Sequence, residues 1–166
     1  MNSTKKILIA NRGVIAIRAL RAAKELGYQV ASVYSTADKN LKHLKLSDEA
    51  ICIGPPDSKD SYLNEAAIIS AAELANVDGI YPGYGFLSEN AEFAEKCKNS
   101  GFKFIGPSHE IISLMGDKIQ AKNLMRQLGV PVVPGYEGPV ESKEQIENEV
   151  KKVGLPVIIK AAAGGG

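Results

Sequence analysis

The chain has 166 residues, 45% of them hydrophobic and 23% charged, which is enough for one medium domain or for a small domain with part of a second. Its 20 Lys and Arg stand against 19 Asp and Glu, a net charge of +1, so no nucleic-acid partner with a dense basic footprint is expected. No apolar run approaches the about 20 residues of a membrane helix, and no membrane partner is expected either.

In chain order, short Ile- and Val-rich runs alternate with longer segments of helical period, the pattern of strand-helix units feeding a parallel sheet; the fold class is α/β. Ile7 to Ala10 reads as a first strand, Asn11-Arg12-Gly13 as a turn, and Val14 to Leu26 as a helix stopped by Gly27. Gln29 to Ser35 and Ala50 to Ile53 are the next strands. Tyr62 to Ala75 is an Ala-rich helix with an expected apolar face at Leu63, Ala67, Ser70 and Leu74. Gly79 to Tyr81 begins a fourth strand, Pro82 to Leu87 is a loop, and Ser88 is expected to cap a helix to Asn99. A fifth strand, Phe102 to Ile105, precedes helical stretches near Glu110 to Met115 and Lys118 to Leu128. Beyond Gly129 the rhythm changes: a Pro-broken extended run, a helix to Val153 opened by a Ser142/Gln145 capping box, and a strand from Pro156 to Lys160 leading into Gly164-Gly165-Gly166. The domain boundary is placed near residues 107 to 117. The closing lysine and glycines read as a phosphate loop cut in the middle, so the chain is expected to be a fragment.

The chemistry-bearing residues are sparse. The first strand-helix junction has one glycine where a dinucleotide fold places Gly-x-Gly-x-x-Gly, which weakens a dehydrogenase reading. Arg12 could meet an anion at the helix start or serve as a salt-bridged loop residue, and Asp38 is read as a turn residue rather than a ribose ligand. Gly83-Tyr84-Gly85 lies after a strand, where open α/β sheets put ligands, although Phe86 and Leu87 could simply plug the sheet top. Lys160 beside three glycines, and Lys118 at a helix start, suggest phosphoryl contacts, yet neither forms a P-loop. Arg18, Arg21 and Glu25 share one helix face, by default a solvated one. His43, His109, Cys52 and Cys97 show no metal-ligand or disulfide spacing, a reducing cytoplasm fits, and no export signal is visible. Tyr62, Met115 and Met125 read as packing residues.

Taken together, Lys6 to Arg18, His43 to Gly54, Pro82 to Asn90, Phe104 to Pro107, Met115 to Lys118, Val130 to Gly135 and Pro156 to Gly166 resemble the amino-terminal third of biotin carboxylases, which are ATP-grasp ligases. The resemblance implies a Rossmann-like pre-ATP-grasp domain over residues 1–112 that binds no dinucleotide, followed by the start of an ATP-grasp domain over 113–166. It implies a full enzyme that phosphorylates bicarbonate with MgATP and captures the resulting CO2 on N1′ of biotin. By the same resemblance, Lys118, Lys160, Gly164, Gly165 and Gly166 would contact ATP, and Gly83, Tyr84 and Gly85 would line the biotin side. Arg18, Arg21 and Glu25 would lie in a homodimer contact.

A cytoplasmic acetyl-CoA carboxylase serving fatty acid synthesis is implied, with biotin carboxyl carrier protein and carboxyltransferase subunits as partners. Pyruvate or propionyl-CoA carboxylase, or a non-catalytic nucleotide-binding or dimerisation module, are the alternatives. The family's catalytic residues, Mg2+ carboxylates included, are expected beyond Gly166, so residues 1–166 alone are expected to be inactive. One departure stands out: the family usually has Glu where this chain has Val14.

Overall fold

The structure, a computed structural model, describes residues 5–136, 138, 140 and 142–159. The chain divides into two compact units, residues 1–112 and 113–166.

The first unit is a five-stranded parallel sheet in the order β3-β2-β1-β4-β5, with β1 at Lys6–Ile9, β2 at Gln29–Ser35, β3 at Glu49–Gly54, β4 at Gly79–Tyr81 and β5 at Lys103–Phe104. Strand β2 is buried almost continuously from Val30 to Val33, as a strand covered by helices on both faces must be. Helix α1 (Gly13–Glu25) lays Ala16, Leu20 and Ala23 against Ile9 and Val30 on one face. Helices α3 (Glu65–Leu74) and α4 (Ala91–Asn99) bring Ile68, Ala71, Ala72, Phe93 and Cys97 to Leu8, Val33 and Ile80 in a second cluster. Full burial of each large aliphatic side chain here contributes about 1.5–3 kcal/mol. Burial also pushes the Cys97 thiol up to about 12, which keeps it a small apolar filler rather than a thiolate.

Helix ends follow from local chemistry. Gly27 ends α1 as expected: its amide bonds Lys24 O and the Tyr28 amide bonds Ala23 O, closing the last turn. Three expectations are corrected. The Ala-rich helix starts at Glu65, not Tyr62, because Asn64 accepts the Ala67 amide while Ser58–Asp60 forms a separate turn. Its buried face is Ile68, Ala71, Ala72 and Ala75, whereas Leu63, Ser70 and Leu74 are exposed. Small residues there let the helix approach the sheet closely. Asn90, not Ser88, caps α4, since the Ser88 and Asn90 amides are spent on Gly85 O and Leu87 O in a tight turn. A short helix, α2 (Lys42–Leu46), was not foreseen because its apolar pattern spans too few residues.

Helix α5 (His109–Gly116) runs through the division at 112/113. In the second unit, Asp117 caps α6 (Lys118–Gln127) by accepting from the amides of Ile119 and Gln120. Ser142 caps α7 (Lys143–Val153), whose Gln145 side chain donates to the Tyr136 hydroxyl. Residues 156–159 form no strand, a further correction: no neighbouring strand is present among the described residues of this unit to pair with them. Lys160 and Gly164 to Gly166 lie outside the described residues.

Candidate functional site

Chain order reverses at β1: the chain runs outward through β2 and β3, then returns to the other side of β1 as β4. A doubly wound sheet has its ligand crevice above such a reversal, at the carboxyl ends of the two strands. Here those ends carry Asn11 to Val14 and Pro82 to Phe86, and Asn11, Arg12, Val14, Tyr84, Gly85 and Phe86 line an open crevice.

Asn11 is 1% exposed and joins the two segments. Its Nδ2 donates to Pro82 O at 2.8 Å and to Tyr84 O at 2.9 Å, and its Oδ1 accepts the Arg12 amide at 2.8 Å. The N-cap position of α1 is Arg12, whose side chain has no acceptor to offer, so the helix begins without a side-chain cap. The loop backbone is left-handed at Gly83 (φ 74°), Gly85 (φ 66°) and Phe86 (φ 43°). A Cβ on Gly83 would stand 2.8 Å from both Asn11 Nδ2 and Ile15 Cγ2, so glycine there allows the close approach as well as the backbone angle.

Phe86 has no such freedom, and its left-handed backbone costs about 1–2 kcal/mol. The offset comes from its neighbours. Its ring stacks on Tyr62 at 4.9 Å between centroids and 14° between planes. The Arg12 guanidinium carbon lies 5.4 Å from the Tyr62 centroid and 5.7 Å from that of Phe86. An aromatic pair contributes about 0.5–1.5 kcal/mol beyond burial and a half-exposed cation over a ring about 0.5–1.

Asp38 anchors this cluster from a short helical turn, Thr36–Asp38, after β2. Its Oδ2 accepts from Arg12 Nη1 at 3.1 Å, the Tyr62 hydroxyl at 2.7 Å and the Ser35 hydroxyl at 2.9 Å. Burial pushes the Asp38 carboxyl up, but these three hydrogen bonds and the Arg12 charge outweigh it and hold the group below its ordinary value. Burial and the bond to Asp38 push the Tyr62 phenol well up, so it stays neutral, donating to Asp38 while accepting the Ser35 amide.

The expected site residues fall in separate places. Tyr84 and Gly85 line the crevice, with Tyr84 58% exposed, while Gly83 precedes them packed against Asn11 and Ile15. Arg18, Arg21 and Glu25 line an open groove along α1 with Val14, Ile17 and Ala22. Val14 is 79% exposed, and the first turn of α1 holds no acidic residue. Lys118 opens α6 in the second unit, behind the Asp117 cap. Among the described residues no three His, Cys, Asp or Glu side chains gather where they could hold a metal ion, and no helix is long and apolar enough to cross a membrane.

Residues 3–112 match the biotin carboxylase N-terminal domain model, and residues 117–166 match the ATP-binding domain of the carbamoyl-phosphate synthase L chain. The chain belongs to the biotin carboxylase family. It is 57% identical to the Haemophilus influenzae biotin carboxylase over 163 residues, covering 98% of this chain and 36% of that protein. A biotin carboxylase from Campylobacter jejuni, solved as a β,γ-ATP complex, superimposes with a TM-score of 0.93 at 55% identity, over 99% of this chain and 37% of that one. The biotin carboxylase domain dimer of the Hydrogenobacter thermophilus 2-oxoglutarate carboxylase, solved with MgADP, ADP and bicarbonate, gives 0.92 at 44% identity over 100% of this chain and 36% of that one. The chain thus spans about 36% of the length of the curated relatives it matches.

Sequence reading missed the roles of Asn11, Asp38 and Tyr62. The available signal was a polar Asn set directly after an apolar strand, where burial obliges it to find partners. Asp38 and Tyr62 are 24 residues apart, and nothing local joins them.

Proposed function

We propose that this chain forms the biotin-facing wall and part of the ATP site of a biotin carboxylase, an ATP-dependent ligase that transfers bicarbonate carbon to biotin on a carrier protein. The carrying observation is the crevice at the strand reversal, where Asn11 pins Pro82 and Tyr84 and leaves Tyr84 and Gly85 lining its mouth. Such a rim suits a flat ring: it offers an exposed phenol beside a glycine, with little side-chain bulk in the way. ATP and Mg2+ are supported by the ATP-binding domain match and by the nucleotide complexes of the relatives. Among the described residues Lys118 is the one assigned to nucleotide. Bound ATP supplies the phosphoryl group that activates bicarbonate; Lys118 would hold phosphate as a point charge.

Acetyl-CoA is the acyl acceptor proposed for the complete carboxylase, in the cytoplasm, with biotin carboxyl carrier protein and carboxyltransferase subunits as partners. The α1 face carrying Arg18, Arg21 and Glu25 is proposed as the homodimer contact. It is exposed, and its charges are of both signs, as a self-complementary contact requires.

The test is kinetic. In the protein expressed from its native gene, Tyr84→Ala should raise KM for biotin by about fivefold or more, while bicarbonate-dependent ATP cleavage without biotin persists. Equal loss of both activities, or of neither, contradicts the assignment of this loop.

A further inference from the structure

Why a phenylalanine should occupy a left-handed backbone position in the loop that faces substrate is not explained by the loop itself. Phe86 sits at φ 43° directly after Gly85, and its ring lies on Tyr62, whose residue is 1% exposed. Strained residues persist where surroundings over-determine them. One of those surroundings is fixed: Tyr62 is immobilised by its hydroxyl, which donates to Asp38 and accepts from the Ser35 amide. The other is Arg12, which lies beside both rings, half exposed at the crevice, with Nη1 tied to Asp38.

We propose that Arg12 is a positioning residue for the biotin-side loop: tethered by Asp38 and lying against the Tyr62 and Phe86 rings, it holds Phe86 in its left-handed conformation and thereby fixes the Gly83-Tyr84-Gly85 backbone. This rests on the reading of that loop as the biotin wall. Arg12 touches no substrate in this account; it acts through Phe86. Asn11 secures the near end of the loop, at Pro82 and Tyr84, and Arg12 the far end, at Phe86. The two residues are adjacent in sequence, so one turn after β1 controls both ends of the loop. The ion pair with Asp38 sets where the cation sits, and a cation held there lies against the rings.

The test uses Arg12→Ala, Arg12→Met and Arg12→Lys in the protein expressed from its native gene. Met keeps apolar contact but loses the Asp38 tether, and Lys keeps the tether. Hydrogen exchange at the amides of Tyr84, Gly85 and Leu87 should accelerate about tenfold or more in the Ala and Met variants, stay near wild type in the Lys variant, and leave Leu8 and Val33 unchanged. KM for biotin should rise about fivefold or more with kcat little altered, and biotin-free, bicarbonate-dependent ATP cleavage should be retained. Unchanged loop exchange, acceleration that extends equally to Leu8 and Val33, or an unaltered KM for biotin in the face of faster loop exchange would each overturn the proposal. If the wild-type protein does not carboxylate biotin while the loop exchange responds as described, the positioning role stands and the biotin reading fails.

Discussion

Gly83 and Gly85 flank Tyr84, and replacing each by alanine separates two physical effects. Both sit at positive φ, 74° and 66°, so either substitution should cost about 1–2 kcal/mol of backbone strain. Only Gly83 is also crowded: its Cβ would lie 2.8 Å from Asn11 Nδ2 and from Ile15 Cγ2, whereas nothing lies within 4 Å of a Cβ on Gly85. Neither neighbour is the tip of a long, mobile side chain. Asn11 is fixed by three hydrogen bonds and Ile15 belongs to α1, so relief requires a backbone shift costing about 1–3 kcal/mol more. The totals are about 2–5 kcal/mol for Gly83→Ala and about 1–2 for Gly85→Ala. Because the chain divides into two units, bulk denaturation is ambiguous, and native-state hydrogen exchange at Leu8 and Ile80 reads the first unit alone. Exchange through unfolding should accelerate about 30-fold or more for Gly83→Ala and about 5- to 30-fold for Gly85→Ala. A Gly83→Ala variant no less stable than Gly85→Ala would refute the reasoning.

Tyr62→Phe removes the donor to Asp38 and strands the buried Ser35 amide, so a loss of about 1–3 kcal/mol is expected in the same exchange experiment. His43 is fully buried and burial holds its pKa below the ordinary 6.5, despite the Val33 carbonyl and the Asp38 charge. The unfolded chain therefore takes up the proton first: stability is level above pH 6.5 and falls as pH drops below it. His43→Asn should flatten that slope in a pH series of the same exchange experiment, corrected for the intrinsic pH dependence of exchange. Asp38 acts lower, since its depressed pKa gives stability that is present above 3.8 and lost only as pH falls through the folded value. Val14→Glu places an acid in the uncapped first turn of α1 and should add about 0.3–1 kcal/mol in the same exchange experiment, a gain that high salt should diminish.

The strand-helix alternation and the loop at residues 82–87 were legible in the sequence because burial on both sheet faces writes continuous apolar runs, and because Pro and Gly mark strand ends. The phase of α3 was not. In a helix as apolar as residues 65–74, periodicity hardly distinguishes one face from another, and the choice fell to Ala71 and Ala72, whose small size suits close contact with the sheet. Of the site, Gly83, Tyr84 and Gly85 could be read locally, but their supports could not. Asn11 meets Pro82 across 71 positions and Arg12 meets Asp38 across 26, and such partnerships exist only once the sheet order is known.

The central claim is tested most directly by supplying the protein expressed from its native gene with MgATP, isotopically labelled bicarbonate and free biotin. The account requires ATP cleavage that depends on bicarbonate, and label that appears in biotin as an acid-labile carboxyl group. ATP cleavage indifferent to bicarbonate, or no transfer of label to biotin, would contradict it.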